Sequence, residues 1–391
     1  MIEKRASELF DKLISIRRNI HMHPELGMEE KETNKKIRAF LDEAEIKNET
    51  IAETGVVGII GTGEAPVVAL RADMDALPIQ EETGVPFKSK INEKMHACGH
   101  DMHTTILLGA AKILKEMESD LKGTVKLLFE PAEETVGGAI QMIKEGCLVK
   151  PEVDAVLGLH VMPELNTGKV EMKYGKLNAS SDTITIKALG KSGHGAYPES
   201  SVDAIVIAGN IVTALQTIVS RNTSPFNTVA LSFGAIRGGE YGNIIADKVT
   251  LKGTLRTSDP QTRDYVKQRI TDIATHQAKA YGGDAEVIIE EGYKPLINDD
   301  KITRILEDTL TENIGRDNIQ TKEFPSLGVE SFAFFSSEVP GCFYRLGCKH
   351  PDDEAPYPIH NSKFNPDERC IETGVTLQVK TALNLMNELN K

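Results

Sequence analysis

Residues 67–71 read VVALR, and this short run decides the fold class of the chain. Four consecutive apolar residues without polar alternation predict a strand that is buried on both faces, as in a parallel sheet covered by helices. Similar strands are predicted at Thr124–Phe129 and Ala155–His160, and an amphipathic helix is predicted at Asp101–Met117. This alternation predicts an α/β domain with a mixed, mostly parallel sheet.

A different pattern begins near residue 178. Four strand patterns and two helix patterns follow in the order β-α-β-β-α-β, at Ser181–Ala188, Asp203–Val219, Val229–Ile236, Val249–Thr257, Gln261–Ala280 and Ala285–Glu291. That order is typical of the ferredoxin-like split βαβ fold. The α/β pattern resumes near residue 295 and continues with a strand at Cys342–Leu346 and a closing helix at Pro366–Asn390. We therefore predict an α/β domain at 1–177 and 293–391, interrupted by an inserted α+β domain at 178–292.

Composition and charge exclude several classes of function. The 391 residues include 58 acidic and 45 basic side chains, for a formal charge of −13. An acidic chain without a dense Lys/Arg run argues against a nucleic-acid partner, and an acidic surface repels anionic lipid. We find no apolar stretch of membrane-spanning length, and the first twenty residues predict an amphipathic helix rather than a signal peptide. Five sparse cysteines favour a reducing cytoplasm over a disulfide framework.

Cys98, Gly99 and His100 form the first candidate site, immediately before a predicted helix. A glycine between two metal-binding side chains allows both to point at one centre, and helix-start amides help to keep a thiolate deprotonated. The alternative, a buried structural cysteine beside a surface histidine, has equal weight at this point.

The second candidate cluster is Glu130-Pro131-Ala132-Glu133-Glu134, at the end of a predicted strand. Catalytic groups of open α/β sheets gather at the carboxyl ends of strands. Two adjacent carboxylates in an extended segment point in different directions, which favours one metal ligand and one general base. The alternative is a solvated acidic loop. His160, at another predicted strand end, and His360, in a Pro-rich loop, carry little weight alone.

Taken together, these side chains supply enough donors for two metal ions: Cys98, His100, Glu134, His160 and His360. Mixed sulfur, nitrogen and oxygen ligands suit zinc, with manganese, cobalt or nickel as alternatives. Two such ions would activate a water and hold a carbonyl oxygen, and Glu133 would take the proton of that water. The donors are too dispersed along the chain for a structural zinc site.

These motifs resemble the metal-dependent amidohydrolases that include hippurate hydrolases, indole-acetyl-amino-acid hydrolases and N-acetyl-diaminopimelate deacetylases, within the aminoacylase and carboxypeptidase group of dizinc-type peptidases. The resemblance covers nearly the whole chain. It rests on seven motifs: Arg17-Arg18-x-x-His21-x-x-Pro24-Glu25, Arg71-Ala72-Asp73-Met74-Asp75-Ala76-Leu77-Pro78, His96–His103, Pro131-Ala132-Glu133-Glu134, Gly158-Leu159-His160, Gly193-His194-Gly195-Ala196-Tyr197-Pro198 and Pro358-Ile359-His360-Asn361.

The resemblance implies a dizinc-peptidase-like core in which Cys98 bridges two divalent metal ions and Glu133 is the catalytic base. Asp75 matches a carboxylate that supports the metal ligands, and four histidines are assigned structural or supporting roles: His21, His23, His96 and His103. The wider group has His-x-Asp and a bridging carboxylate, whereas this chain has Ala-x-x-Asp and a thiolate. That difference places the chain in the hippurate-hydrolase branch.

In that branch the inserted domain is a lid that also dimerises. His194 would help to polarise the scissile carbonyl, and Asn243 and Arg256 would hold the carboxylate of the substrate; for Arg256 the alternative is a salt bridge on the strand surface. Two departures from the family pattern are Ala246, where a proline is usual, and Ser331, where an acidic residue is usual. We interpret the first as a change at the lid hinge and the second as a change in substrate selection.

The resemblance implies hydrolysis of the amide bond of N-acyl-L-amino acids to a carboxylate and a free amino acid. The alternative within enzymes is a carboxypeptidase or dipeptidase that acts on short peptides. A non-catalytic binder of acylated amino acids is disfavoured, because a binder has no need of Glu133 beside the ligand Glu134. We further expect a homodimer in which His194 of one subunit completes the active site of the other.

Overall fold

The computed structural model describes residues 1–135, 137–350 and 355–391. Helices and strands follow each other along the chain as α1 Ile2–Met22, α2 Lys31–Glu43, β1 Lys47–Ile51, β2 Gly55–Ile60, β3 Val67–Asp73, α3 His100–Glu116, β4 Thr124–Glu130, α4 Gly138–Lys144, β5 Ala155–Asn166, β6 Val170–Met172, β7 Gly175–Asn178, β8 Asp182–Leu189, β9 Gly193–His194, α5 Ala204–Thr217, β10 Val229–Gly238, β11 Ile244–Ile245, β12 Lys248–Thr257, α6 Pro260–Ala280, β13 Asp284–Glu291, β14 Leu296–Asn298, α7 Asp300–Ile314, β15 Ile319–Thr321, α8 Phe332–Glu338, β16 Gly341–Lys349 and α9 Cys370–Leu389.

The chain forms two compact units. The first unit comprises Met1–Gly175, Ile297–Glu323 and Ser331–Lys391, and the second comprises Lys176–Leu296 and Phe324–Glu330. The sequence analysis placed Phe324–Glu330 in the first domain. This segment belongs to the second unit because Ser326 exchanges backbone hydrogen bonds with Leu177 and Ala179.

The first unit is built on an eight-stranded sheet with the order β1-β2-β4-β3-β5-β16-β6-β15. β3 is parallel to both β4 and β5, and β16 is parallel to β5, while β1, β2 and β6 add antiparallel pairings. All seven residues of β3 are buried, as the run VVALR predicts for a central strand covered on both faces. The prediction of a mixed, mostly parallel sheet is confirmed.

One layer of helices over this sheet is formed by α1, α3 and α9. The three helices approach closely at Gly109 in α3. The Cβ of any other residue at this position would lie 2.6 Å from Val375 Cγ2 in α9 and 2.8 Å from Leu13 Cδ1 in α1. The apolar face of α3 is buried at Ile106, Leu107 and Leu114, as its sequence pattern predicts. These helices hold the first residue of α3, His100, at a fixed place beside the sheet.

The second unit contains an antiparallel sheet with the order β10-β12-β8-β13 and the helices α5 and α6. With these four strands numbered along the chain, the order is 2-3-1-4, which is that of the predicted ferredoxin-like fold. The Asp203 side chain caps the start of α5 by accepting hydrogen bonds from the Ile205 and Val206 amides. The Asp259 side chain caps α6 in the same way by accepting a hydrogen bond from the Thr262 amide. The inserted α+β fold is therefore confirmed.

Several elements differ from their sequence predictions. β5 continues to Asn166, so His160 lies inside this strand rather than at its end. α9 begins at Cys370 and not at Pro366, because a turn precedes it. In this turn the Asp367 amide donates a hydrogen bond to the Cys348 carbonyl, and the Asp367 carbonyl accepts one from the Cys370 amide. Helix α7 was not predicted, although Asp299 is a typical N-cap and Ile302, Leu306 and Leu310 repeat at helical spacing; these side chains place it in the main core.

The segment Ala204–Asn222 is long and apolar enough to cross a membrane by length and composition, with a mean hydropathy of 1.4. The statement that no such stretch exists was therefore wrong. This is weak evidence for a membrane span, since Ile207, Ile211 and Leu215 of the same helix pack into the core of the second unit.

Candidate active site

The Cys98–His100 segment lies where the loop after β3 enters α3. Gly99 adopts a left-handed conformation with φ +87°, and an added Cβ would lie 2.4 Å from Val161 Cγ2. A glycine is therefore required for this close approach to β5. The consequence is that Cys98 and His100, both buried, project their donor atoms to the same place beside β5.

The first group of donors consists of Cys98, His100 and His160, whose donor atoms lie within 4.8 Å of one another. The Sγ atom of Cys98 lies 3.2 Å from His160 Nε2. His160 Nδ1 donates to the Val161 carbonyl at 2.6 Å, which leaves the Nε2 lone pair facing the sulfur. Burial, with a contribution from His103, lowers the pKa of His160 to about 3, so its ring is the neutral form that binds metals.

The second group consists of Cys98, Glu134 and His360, again within 4.8 Å. His360 Nε2 lies 3.3 Å from Cys98 Sγ and 3.0 Å from Glu134 Oε1. His360 has a left-handed φ of +62°, which is strained for a residue with a side chain, and its amide donates to the Ala97 carbonyl. The two groups share Cys98, and they contain all five of the metal ligands predicted from the sequence.

Asp75 supports ligands from both groups. Its Oδ1 atom lies 3.1 Å from His100 Nδ1, and its Oδ2 atom accepts from the Glu134 amide at 3.0 Å. These contacts orient the His100 ring with Nε2 towards Glu134 Oε1, at 3.9 Å. Such carboxylate–histidine pairs are typical of metal sites, where they fix the tautomer of the ligand.

The other histidines of the motifs make contacts within the protein. His103 Nδ1 lies 2.6 Å from Asp73 Oδ1, and its Nε2 accepts from the Val161 amide. His21 Nδ1 lies 2.7 Å from Asp101 Oδ2, and His23 Nδ1 lies 2.9 Å from the Asn19 carbonyl. His96 is buried, and its two ring nitrogens have no hydrogen-bond partner among the described residues.

The two adjacent carboxylates lie in a turn and not in the extended segment that was predicted. Ala132 has a left-handed φ of +53°, which bends the chain directly before Glu133. Glu133 and Glu134 therefore both bring a carboxylate oxygen within 4.8 Å of His100. Their contacts still differ, because Glu133 Oε1 accepts from the Ser331 amide at 2.9 Å while Glu134 faces His360.

Sequence reasoning missed three residues that hold this turn and its surroundings. Glu30 accepts from the Ala132 amide at 2.8 Å, Ser331 contacts Glu133, and Arg71 donates to Ser331 Oγ. A signal existed for Arg71, since a charge inside a strand that is buried on both faces requires a partner. Glu30 gave no such signal, and Ser331 was recognised only as a departure from the family pattern.

The chemistry of the described side chains fits divalent metal ions. Glu134 Oε1 is buried between two imidazoles, 3.0 Å from His360 Nε2 and 3.9 Å from His100 Nε2. Burial, reinforced by Glu134, raises the pKa of the Cys98 thiol well above its usual value. A metal cation supplies the missing positive charge, since a coordinating thiol is deprotonated by the ion itself.

The remaining predicted site residues belong to the second unit. His194 in β9 pairs with Ile244 in β11, and the Gly195 amide donates to the Asn243 carbonyl, so His194 and Asn243 are close neighbours. Arg256 lies in β12, and its buried Nη1 atom has no hydrogen-bond partner among the described residues. Its salt-bridge alternative is therefore not observed in the described part of the chain.

Ala246 lies within the second unit and not where the chain passes between the two units. Its carbonyl accepts from the Ala204 amide at the start of α5. The interpretation of Ala246 as a change at the lid hinge is therefore wrong.

Known proteins are similar to this chain in both sequence and fold. It is 42% identical to the N-acetyl-L-cysteine deacetylase of Bacillus subtilis, with 93% of this chain and 86% of the relative covered. It is 39% identical to the IAA-amino acid hydrolase ILR1-like 4 of Arabidopsis thaliana, with 98% and 88% covered. A solved dinuclear metal-binding peptidase of family M20 from Bacillus subtilis superposes with a TM-score of 0.83 at 32% identity, covering 97% of this chain and 99% of that one.

These relatives are named as a hydrolase and a deacetylase, and similarity to a dinuclear metal-binding peptidase implies two divalent metal ions. Residues 69–384 match the peptidase family M20/M25/M40. This match and the similarity over nearly the whole chain show that the protein is a hydrolase that belongs to peptidase family M20/M25/M40.

Proposed function

We propose that this enzyme hydrolyses the amide bond of N-acyl-L-amino acids and releases a carboxylate and a free amino acid. The observation that carries the proposal is the pair of donor groups that share Cys98, with the carboxylate of Glu133 directly beside them. The names of the relatives support the substrate class, because they describe hydrolysis of N-acetylcysteine and of indole-acetyl amino acids.

When bound, two divalent ions provide the positive charge that polarises an amide carbonyl and makes a water easier to deprotonate. Glu133 accepts the proton of the attacking water and passes it to the leaving nitrogen as the C–N bond breaks. The water oxygen thereby ends in the new carboxylate and the proton in the released amine. Mixed donors favour zinc, with manganese, cobalt or nickel as alternatives.

Arg256 and Asn243 are proposed to bind the carboxylate of the amino-acid part. A buried guanidinium nitrogen without a described partner supports this role, since an anionic ligand would satisfy it. A guanidinium also matches the geometry of a carboxylate through two parallel hydrogen bonds.

His194 is proposed to donate a hydrogen bond to the carbonyl oxygen as negative charge develops there. The Ala196 amide donates to His194 Nδ1 at 3.1 Å, so the neutral ring carries its proton on Nε2. Nε2 is therefore a donor, as this role requires, and the side chain is exposed.

We also propose that the enzyme is a homodimer formed through the second unit, in which His194 of the partner subunit completes each active site. α5 leaves Ile205 and Val206 about half exposed, at 50% and 46%, and β10 is an edge strand of its sheet. Exposed apolar side chains next to an open sheet edge favour a self-complementary contact. Neither nucleic acid nor membrane is proposed as a partner.

The cytoplasm is the proposed location. All five cysteines are free and buried, which suits a reducing compartment.

The function is tested by a substrate panel on protein reconstituted with each candidate metal. N-acetyl, N-benzoyl and N-indoleacetyl amino acids are compared with dipeptides of the same C-terminal residue. We expect kcat/KM to favour the N-acyl amino acids. A preference for dipeptides would instead establish a peptidase, and binding of acylated amino acids without turnover would establish a binder.

The shared site is tested by mixing two inactive variants, Glu133→Gln and His194→Ala. In a mixed dimer with shared sites, one pocket carries both defects and the other carries neither, so activity returns. Subunit exchange is verified with two different affinity tags. Exchanged dimers without activity would show that His194 acts within its own chain.

A further inference from the structure

We propose that Ser331 is the positioning residue for the carboxylate of Glu133. The inference rests on the proposed function, in which Glu133 is the general base. Ser331 is fully buried, and its backbone amide donates to Glu133 Oε1 at 2.9 Å. It therefore holds one oxygen of the base directly, without contact with solvent.

The side chain of Ser331 ties this amide to the sheet. Its hydroxyl donates to Glu130 Oε1 at 2.5 Å and accepts from Arg71 Nη2 at 2.8 Å. Glu130 and Arg71 are in the adjacent strands β4 and β3, where every residue is buried. The hydroxyl therefore connects the base to two rigid strands in the middle of the main sheet.

The same network reaches the residues that support the metal ligands. Arg71 Nε donates to Glu130 Oε2 at 2.6 Å, and Nη1 donates to Asp73 Oδ2 at 2.8 Å. Asp73 in turn contacts His103 at 2.6 Å and lies 3.8 Å from His100 Nε2. A single buried network thus fixes the base relative to His100, which is a predicted ligand.

The position of Ser331 in the chain explains why its amide needs such an anchor. The preceding segment, Phe324–Glu330, belongs to the second unit, and Ser331 is the first residue of the chain back in the first unit. A backbone amide is only as well placed as the chain that carries it. Misplacement of a catalytic group by about 1 Å costs on the order of 10²-fold in rate.

The hydroxyl also explains the departure from the family pattern at this position. An ionised carboxylate accepts hydrogen bonds but donates none, so it could not both donate to Glu130 and accept from Arg71 as Ser331 does. Because Ser331 is fully buried within this network, the interpretation that it changes substrate selection is replaced by a role in holding the base.

The test uses the full-length, metal-loaded enzyme with Ser331→Ala, which keeps the amide and removes the hydroxyl. We expect kcat to fall about tenfold or more, with KM within about twofold and two metal ions retained. Ser331→Thr, which restores a hydroxyl, is expected to recover most of kcat. Ser336→Ala in α8, the helix that Ser331 directly precedes, is the control and should leave kcat unchanged. If Ser331→Ala does not fold, the nearly isosteric Ser331→Cys is measured in its place.

A double-mutant cycle with Glu133→Gln separates this inference from the proposed function. If Ser331 acts through the base, adding Ser331→Ala to Glu133→Gln causes no further loss of kcat. An additional tenfold loss in that background, a loss of metal with the hydroxyl, or wild-type kcat in Ser331→Ala would each overturn the inference. If Glu133→Gln itself keeps wild-type turnover, it is the proposed function that fails.

Discussion

Replacing Gly99 by alanine is expected to destabilise the protein and to displace the neighbouring metal-binding residues Cys98 and His100. The new Cβ would lie 2.4 Å from Val161 Cγ2, about 1 Å inside the 3.4 Å at which ordinary contacts begin. The left-handed φ of +87° adds a strain of about 1–2 kcal/mol for a residue with a side chain. Overpacking of this kind costs a further 1–3 kcal/mol or so. The expected loss of stability is therefore about 2–5 kcal/mol.

Three further variants separate strain from steric overlap. Gly63 has the same φ of +87° but nothing within 4 Å of its added Cβ, so Gly63→Ala measures the strain alone. Val161→Ala removes the methyl group that the new Cβ would meet. The pair Gly99→Ala and Val161→Ala should therefore cost less than the sum of the two single changes.

Thermal unfolding followed by circular dichroism gives the stabilities, and mass spectrometry of the metals gives the ion content. We expect a Tm lowered by roughly 4–9 °C for Gly99→Ala. The displaced Cys98 and His100 should also release metal and reduce kcat/KM by on the order of 10²-fold. If Gly99→Ala keeps two ions and is no less stable than Gly63→Ala, the contact with Val161 does not fix the ligand geometry.

Further tests address four individual side chains. Glu133→Gln is expected to keep both metal ions and to lose about 10²–10⁴-fold in kcat, because an amide cannot accept the proton, whereas Glu134→Gln should lose metal; near wild-type turnover of metal-loaded Glu133→Gln would exclude the base role. Cys98→Ala should lower the metal content because a thiolate donor is removed, and full metal content in that variant would remove this thiol from the ligand set. Arg256→Ala should raise KM about tenfold to a hundredfold for an N-acyl amino acid and leave KM for its C-terminal amide almost unchanged, so an equal increase for both substrates would contradict carboxylate binding.

The fold could be predicted where local pattern and burial coincide. The run VVALR predicts a central strand because burial on both faces favours apolar residues at successive positions. The β-α-β-β-α-β order defines the second unit because each of its strands has one exposed face. The return of Phe324–Glu330 to that unit could not be predicted, since it depends on backbone pairing with Leu177 and Ala179 far earlier in the chain.

The donor atoms of the site could be predicted by residue type, but their supports could not. Cysteine, histidine and glutamate are recognisable as metal-binding side chains wherever they occur. The sequence indicates that Arg71 needs a partner and that Ser331 departs from the family pattern, but their contact with each other, across 260 positions, exists only in the folded protein. The left-handed conformation of Ala132 could not be predicted from the sequence either, because alanine has no preference for that conformation.

The place of β16 in the main sheet has a consequence for the order in which the chain folds during synthesis. β16 pairs with β5 on one side and β6 on the other, and the ribosome makes it only after the whole of residues 176–296. The strands β8, β10, β12 and β13 of the second unit are then already complete. We therefore expect the inserted unit to fold on the ribosome before the unit that it interrupts. Until β16 arrives, the apolar edge of β5 stays open to wrong partners, so the nascent chain is most exposed to aggregation just before the enzyme is finished.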